Sequence, residues 1–291
     1  MKPLKIVVLA KQVPDTRNVG PDAMKPDGTV NRAALPAIFN PDDLHALEMA
    51  LQIKDKVPGT EVIILTMGPK RAADIIREGY FRGVDYGIMV SDRRFGGADT
   101  LATSYTISMA IKKIGNVDLV VGGVQAIDGD TAQTGPQTAE KIGYPQITYV
   151  EEIVDISDDA ITLKRRLEKG VETVKLPLPG LVTVAGSYDN CRFRNAAKTL
   201  KYKYARTNTE LSREKDYIKD ILGKNDYLII PEWGVEDIDA DPAKIGLPGS
   251  PTKVKDVTNI VLTVKEAKVL DASENSINEM MKDLVDAHII G

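Results

Sequence analysis

The chain has 291 residues, 43% of them hydrophobic, a formal net charge of -4 and a pI near 5.4, so it can bury one substantial core and has no overall attraction for nucleic acid or anionic membranes. Its one cysteine, Cys191, excludes an internal disulfide and a multi-cysteine metal centre, and its two histidines, His45 and His288, do not suit a histidine-rich metal site. The first residues lack the apolar stretch of a signal peptide, and no run reaches the roughly 20 apolar residues of a membrane span, so we expect a cytoplasmic protein without membrane insertion.

Short apolar runs in the first half of the chain predict buried strands. The runs are continuous and rich in β-branched residues, as a parallel sheet covered on both faces requires. They lie at residues 6–10, 62–65, 87–90, 119–121 and 146–150. Amphipathic stretches between them predict helices that begin near Asn40, Pro69 and Asp99, with Asn40 as an N-cap. This alternation predicts an α/β fold with a doubly wound, mostly parallel, Rossmann-like sheet.

The second half of the chain has a different pattern of apolar and turn residues. Apolar runs separated by turn residues predict a β-hairpin insertion over residues 151–176, and residues 181–185 predict another core strand. Residues 187–204 interleave basic and aromatic residues, which is typical of a solvated loop or of a docking site. The Pro- and Gly-rich residues 231–259 predict an extended arm, and Ser276 with Glu279 predicts the capping box of a final helix.

These patterns predict three regions. Residues 1–190 form an α/β domain that includes the hairpin, residues 191–230 form a loop and a helical segment, and residues 231–291 form an extended C-terminal arm that ends in a helix.

The most informative segment runs from Gly122 to Pro136. It leaves the carboxyl end of a predicted parallel strand and enters a helix, which is where open α/β sheets bind their ligands. The helix could begin with Asp130 as its cap or later with Thr134, and Pro136 favours the later start because proline deep in a helix costs a hydrogen bond. In both cases the free N–H groups near residues 131–134 form an anion site suited to a phosphate.

Other interpretations of this segment stay open or are disfavoured. Its spacing alone fits an ordinary strand-to-helix turn equally well. A metal site at Asp128 and Asp130 is disfavoured because the EF-hand spacing and further ligands are lacking. The G-x-G-x-x-G fingerprint and the P-loop motif are both absent, which argues against a standard Rossmann dehydrogenase and a P-loop NTPase. We predict no catalytic side chain.

Several segments resemble the β subunit of electron transfer flavoproteins, in order along nearly the whole chain. They are residues 11–15 (KQVPD), 40–43 (NPDD), 67–69 (MGP), 97–103 (GADTLAT), 125–136 (QAIDGDTAQTGP), 163–168 (LKRRLE) and 179–183 (PGLVT). The resemblance implies an adenine-nucleotide-binding fold and an obligate heterodimer, in which an α subunit carries one FAD and this chain binds a second nucleotide.

The resemblance also implies which nucleotide this chain binds. The second nucleotide is FAD in bifurcating members and AMP, as a structural ligand, in respiratory members. The AMP-binding members tend to carry a bulkier, more acidic motif where this chain has Gly129 and Ala132, which leave room for a flavin diphosphate. We therefore expect FAD, with AMP as the alternative.

The expected contacts follow position by position from the family's motifs. The adenosine part is expected near Leu9, Asn40, Asp42 and Met67. The rest of the nucleotide is expected along Gly123, Val124, Gln125, Asp128, Gly129, Asp130, Thr131, Ala132, Gln133 and Thr134.

The function that the resemblance implies is electron transfer with bifurcation. The heterodimer would take hydride from NADH at the FAD of this chain. It would send electrons to the α-subunit FAD and an acyl-CoA dehydrogenase-like flavoprotein, and to ferredoxin or flavodoxin. NADH oxidation is expected only in the heterodimer, with residues 191–230 facing a partner and residues 231–291 packing on the partner subunit.

One departure and two alternatives accompany this expectation. Residues 190–195 lack the Pro-Arg pair that is usual in the family's docking loop, so the dehydrogenase partner of the better-known members does not follow. The first alternative is a non-bifurcating β subunit with structural AMP. The second is a stand-alone adenine-nucleotide-binding protein.

Overall fold

A computed structural model describes residues 1–15, 36–252 and 269–290, in two compact units that divide after Val254. The strands are β1 (Lys5–Leu9), β2 (Gln12–Pro14), β3 (Ala37–Phe39), β4 (Glu61–Met67), β5 (Tyr86–Val90), β6 (Leu119–Gly123), β7 (Gln146–Ile156), β8 (Ala160–Leu167), β9 (Gly170–Pro177), β10 (Gly180–Val184), β11 (Arg206–Thr207), β12 (Ile229–Ile230) and β13 (Glu232–Trp233). The helices are α1 (Pro41–Lys56), α2 (Ala73–Arg82), α3 (Thr100–Ile114), α4 (Thr134–Ile142), α5 (Ala196–Tyr202), α6 (Asn208–Leu211), α7 (Asp216–Leu222) and α8 (Glu274–Asp286). None of the helices in these described ranges is both long and apolar enough to cross a membrane.

The central sheet of the larger unit is mostly parallel, which confirms the predicted fold class. Its strand order is β13-β5-β4-β1-β6-β10-β7-β8-β9, and only the pairs β7–β8 and β8–β9 are antiparallel within this sheet. The chain moves outward from β1 to β4 and β5, and then returns to the other side of β1 as β6. Because the winding reverses there, a crevice opens outside the carboxyl ends of β1 and β6, where ligands of open α/β sheets bind.

Alternate residues of β1 belong to two hydrophobic cores. Ile6 and Val8 pack with residues of α1 and α2, while Val7 packs on the other face with residues of α3. All three side chains are fully buried. This burial on both faces explains why the strand is continuously apolar instead of alternating.

The predicted hairpin is an extension of the central sheet. β7 is a single strand, so the predicted strand at residues 146–150 and the first strand of the hairpin are one element. Its first half pairs in parallel with β10, and its second half pairs antiparallel with β8. Tyr149 has a φ of 59°, and the register shifts beside Val150, so a bulge marks the change of partner.

The solvated-loop interpretation of residues 187–204 holds only in part. Tyr202 at the end of α5 is buried, and its ring stacks on Tyr80 of α2 with 4.6 Å between the ring centroids. The Nη2 atom of Arg192 lies 2.9 Å from Oε1 of the buried Glu48 on α1. This segment is therefore held against the helices of the larger unit.

The expected C-terminal arm is divided between the two units. Its residues 231–252 belong to the larger unit, where β13 pairs in parallel with β5 and Val235, Ile238 and Ile245 are buried. Residues 253–268 lie outside the described residues. In the smaller unit, Ser273 caps α8 by accepting from the N–H of Ser276 at 3.3 Å, so the predicted cap at Ser276 is wrong and lies three residues too late.

Candidate functional site

Three chain segments meet at the crevice between the carboxyl ends of β1 and β6. They are the residues that follow β1, the first turn of α1 and the loop 124–133 between β6 and α4. A short antiparallel ribbon of β2 and β3 leads from β1 to α1, and the Asn40 N–H donates to the Lys11 carbonyl at 3.0 Å. The start of α1 is thereby fixed beside the end of β1.

Asn40 precedes α1 as predicted, but its side chain does not cap the helix. Its Nδ2 donates to the Gln125 carbonyl at 2.8 Å, and its Oδ1 accepts from the Ile127 N–H at 3.2 Å. The predicted cap is wrong because these two bonds to the loop occupy the carboxamide. Asn40 is wholly buried, so the loop is anchored from below by a side chain that water does not reach.

Asp43 joins the ends of both strands. Its Oδ2 accepts from the Lys11 N–H at 2.8 Å, and its Oδ1 accepts from the Gly123 N–H at 3.1 Å. A Cβ at Gly123 would lie 2.6 Å from Asp43 Oδ1, so only glycine permits this approach. Burial raises the pKa of the Asp43 carboxyl to about 7, against the opposing effect of the hydrogen bonds that it accepts.

The loop after β6 carries two residues other than glycine in the left-handed region. Asp130 has a φ of 49° and Ala132 a φ of 52°. The N–H groups of Gly129 and Asp130 both donate to the Ala126 carbonyl, at 3.1 and 2.9 Å, which forms the preceding turn. This conformation costs roughly 1–2 kcal/mol for Ala132 and less for Asp130, because aspartate tolerates the left-handed region. Such strain clusters where a loop must present its backbone to a ligand.

Side chains also fix this loop from outside. Nζ of Lys11 lies 2.7 Å from Oδ1 of Asp128, and Nε2 of Gln125 donates to Oδ1 of Asp130 at 3.1 Å. Oγ1 of Thr100 at the start of α3 donates to Oε1 of Gln133 at 2.9 Å. The loop conformation is therefore specified by its neighbours.

α4 takes the later of the two predicted starts. It begins at Thr134, and the N–H of Gln137 makes a helical bond to the Gln133 carbonyl at 3.0 Å. Both predicted caps are wrong, because Gln133 holds the cap position and makes no side-chain cap bond. Backbone N–H groups in the first turn of a helix have no partner within the helix. They are suited to donate hydrogen bonds to an anion.

The remaining predicted residues lie around the same crevice. Leu9 and Met67 are half-buried near the carboxyl ends of β1 and β4, packed against the core on the α3 side. Asp42 is half-buried in the first turn of α1, where burial and the neighbouring Asp130 carboxylate raise its pKa while His45 and the Gln125 N–H oppose the shift. The structure thus brings the two predicted groups, the adenosine-side residues and the loop, to one place.

The residues present fit the phosphates of a nucleotide. The crevice combines an uncapped helix start, a loop with left-handed backbone and a free approach at Gly129, where an added Cβ would meet nothing within 4 Å. Within the described ranges, no group of three or more His, Cys, Asp or Glu side chains is arranged to hold a metal ion.

The comparisons with known proteins agree with this geometry. The family model described as the electron transfer flavoprotein domain matches residues 27–203. The chain belongs to the electron transfer flavoprotein family. It is 38% identical over 300 residues to the electron transfer flavoprotein subunit beta of Megasphaera elsdenii, covering 99% of this chain and 100% of the relative. These matches identify it as a β-type subunit.

Two further relatives are subunits of named reductase complexes. The caffeyl-CoA reductase-Etf complex subunit CarD of Acetobacterium woodii is 43% identical over 251 residues, or 86% of each chain. The acryloyl-CoA reductase electron transfer subunit gamma of Anaerotignum propionicum is 43% identical over 253 residues, again 86% of each chain.

The sequence did not indicate two residues that shape the candidate site. In the sequence, Asp43 and Lys11 were only members of the segments at residues 40–43 and 11–15. A second acidic residue in the first turn of a helix that follows β1 was the available signal for Asp43. No pattern in the sequence connected Lys11 to Asp128, which lies 117 positions away.

Proposed function

We propose that this β-type subunit binds FAD in the crevice between β1 and β6 and works as part of a bifurcating electron carrier. The observation that carries the proposal is the loop 124–133, which reaches the uncapped start of α4 through two left-handed residues. A backbone held in this strained form by side-chain anchors is pre-organised for a ligand with phosphates.

The chain's own residues would hold and orient the cofactor. The first-turn N–H groups near Thr134 would bind the pyrophosphate. The backbone from Gly123 to Gln125 would line the site without donating to the phosphates, because the Gly123 N–H is bonded to Asp43 and the Val124 N–H to the Val184 carbonyl. Leu9 and Met67 would pack on the adenosine, and Asn40 would act through the loop that it anchors. A bound FAD supplies hydride acceptance from NADH and onward electron transfer, and the protein supplies position and electrostatics.

We favour FAD over AMP because Gly129 adds no carboxylate to the loop at a position where the AMP-binding members tend to carry a bulkier, more acidic motif. An added Cβ there meets no atom within 4 Å, so packing does not require glycine at this position. An acidic side chain at this position would face the phosphates and repel them.

The proposed assembly has three partners. An α subunit of the same family completes the heterodimer, and an acyl-CoA dehydrogenase-like flavoprotein and ferredoxin or flavodoxin receive the electrons. Two relatives, subunits of caffeyl-CoA reductase and acryloyl-CoA reductase, favour an acyl-CoA type of flavoprotein partner. The heterodimer is proposed to work in the cytoplasm.

The segment around Phe193 offers a surface for the dehydrogenase partner. Phe193 is 94% exposed, and it lies between two arginines that pair with residues of the helices beneath, Arg192 with Glu48 and Arg194 with Glu78. A large apolar side chain that is exposed to solvent on a well-anchored segment is typical of an interface anchor.

The smaller unit offers a second surface for the α subunit. The apolar residues Ile277, Met280 and Met281 of α8 are all exposed, at the three- and four-residue spacing of one helix face. We propose that this face packs on the α subunit.

Anaerobic reduction of the purified heterodimer by NADH tests the proposal. Bleaching of the flavin absorbance by NADH in the absence of any dehydrogenase is expected. The non-bifurcating alternative with AMP predicts no bleaching by NADH. A stable monomer that hydrolyses ATP would instead support a stand-alone nucleotide-binding protein.

A further inference from the structure

Asp43 is a buried carboxylate beneath the crevice, where α1 begins beside the ends of β1 and β6. It accepts one N–H from the segment after β1 and one from the last residue of β6, and it lies on the first turn of α1. All three elements line the crevice. The ladder between β1 and β6 ends at the pair Leu9–Gly122. Beyond it, this single side chain joins the two departing segments and holds both against α1.

We propose that Asp43 is a positioning residue for nucleotide binding, whose ionised carboxylate holds Lys11 and Gly123, where the chain leaves β1 and β6, in the positions against α1 that the site requires. The inference rests on the nucleotide site of the proposed function. It adds to that site the residue Asp43 and the condition that its carboxyl is ionised. Asp43 itself is buried, so it acts through the backbone of Lys11 and Gly123 and not by direct contact with the ligand.

The protonation state of the Asp43 carboxyl decides whether it accepts both hydrogen bonds, and we call this pair of bonds the clamp. An ionised carboxylate offers an acceptor oxygen to each of the two N–H groups. A protonated carboxyl turns one oxygen into a donor, so one of the two N–H groups loses a good acceptor in a buried place, which is costly. Burial raises the pKa of Asp43 to about 7, so the change falls in an accessible pH range.

The charged groups around Asp43 come from three elements. On α1, Asp42 lies beside it and raises its pKa, and His45 acts on Asp42. From the segment after β1, the Lys11 ammonium is held by Asp128. From the loop after β6, Asp130 faces Asp42. Because His45 lies on the same helix and acts on Asp42, a His45→Gln variant is needed as a control.

A matched control lies at the opposite ends of the same two strands. Asp118 precedes β6, and its Oδ2 accepts from the N–H of Lys5, the first residue of β1, at 2.8 Å. It also ties β1 to β6 by a carboxylate, but at the amino ends, away from the crevice. Asp118→Asn therefore reports the structural effect of losing such a tie without touching the site.

The experiment measures the dissociation constant of FAD for the full-length chain by calorimetry between pH 6 and pH 8.5. FAD is the first probe because its pyrophosphate lacks the second phosphate protonation near pH 6 that AMP has. If only AMP binds, the same comparison is made with AMP, because the ligand's own titration is then common to all variants.

We expect the dissociation constant of the unmodified chain to rise about tenfold from pH 8 to pH 6, as the competent ionised fraction falls. Asp43→Asn should bind weakly at every pH and lose this dependence. Asp118→Asn and His45→Gln should keep the tenfold slope. Asp43→Glu, which keeps an ionisable group, should restore a pH-dependent slope.

Two results would overturn the inference. One is a flat profile for the unmodified chain, which is decisive even if Asp43→Asn does not fold. The other is an unchanged slope in Asp43→Asn. Failure of both FAD and AMP to bind the unmodified chain at any pH, alone and in the heterodimer, would instead contradict the proposed function, which separates the two failures.

Discussion

The ammonium of Lys11 lies 2.7 Å from the Asp128 carboxylate, so an ion pair joins the segment after β1 to the loop after β6. The Lys11 side chain is 47% exposed and that of Asp128 25%, so the pair lies at the mouth of the crevice and not beneath it. It complements Asn40 and Asp43, which fix the same two segments from the buried side.

Replacing Lys11 with Gln should weaken FAD binding more than it weakens the fold. We expect about a tenfold loss of affinity, since the loop must then be ordered on binding. The free energy of unfolding should change by less than about 1 kcal/mol, because half-exposed ion pairs contribute little. Calorimetry and denaturant unfolding measure the two effects. Lys2→Gln, which removes an exposed pair with Asp118, is the control and should leave affinity unchanged. Equal losses of affinity in both variants would contradict a local role for Lys11.

Replacing Gly129 with Asp should reduce FAD binding by charge alone. The position has space for a side chain, so we expect no effect on folding, and repulsion of the pyrophosphate should lower affinity at least about tenfold. Gly129→Asn has nearly the same shape without the charge and should bind FAD normally. The nucleotide released from each purified variant on denaturation provides the measurement. Unchanged FAD content in Gly129→Asp would remove the reason for preferring FAD to AMP.

Replacing Ala132 with Gly should stabilise the fold. The residue has a φ of 52°, and relief of this strain should exceed the entropy cost of glycine, leaving a gain of about 0.5 kcal/mol. Ala126→Gly in the same loop is the control. Because Ala126 does not have a positive φ, the same change should destabilise by roughly 0.5–1 kcal/mol. Denaturant unfolding at constant pH compares the two, and effects of the same sign would contradict the strain argument.

Replacing Asp43 with Asn should make stability less sensitive to pH. The pKa of Asp43 is raised from 3.8 to about 7 in the folded chain, so between these values the folded state binds more protons than the unfolded state. The contribution of Asp43 to stability is therefore greatest below pH 4 and is lost as pH rises to about 7, by at most about 4 kcal/mol. Relative to the unmodified chain, the Asp43→Asn variant should therefore become more stable as the pH rises from 4 to 7. If the curves of unfolding free energy against pH are parallel for the two proteins, the pKa of Asp43 is not raised by folding.

The strands and the later start of α4 could be predicted from local patterns. The runs at residues 62–65 and 119–121 lie within β4 and β6, because both faces of the sheet are covered and the apolar run is therefore unbroken. Pro136 alone indicated where α4 begins. Asp99 also precedes α3 as predicted, and its Oδ1 accepts from the N–H groups of Leu101 and Ala102.

The failures arose where distant contacts compete with local ones. Asn40 is a good helix cap by residue type, but the loop after β6 takes both of its polar atoms. The hairpin was separated from residues 146–150 because β10, which pairs with that half of β7, comes more than 20 positions later in the chain. The clamp at Asp43 depends on residues 32 and 80 positions away, beyond any short-range pattern.

The most direct test of the central claim is the nucleotide content of the purified heterodimer, released by denaturation and quantified by chromatography. A phosphate-binding crevice between β1 and β6 that holds FAD predicts two FAD per heterodimer, and Gly129→Asp should reduce this to one. One FAD with one AMP would contradict the FAD assignment. One FAD and no second nucleotide would contradict the site itself.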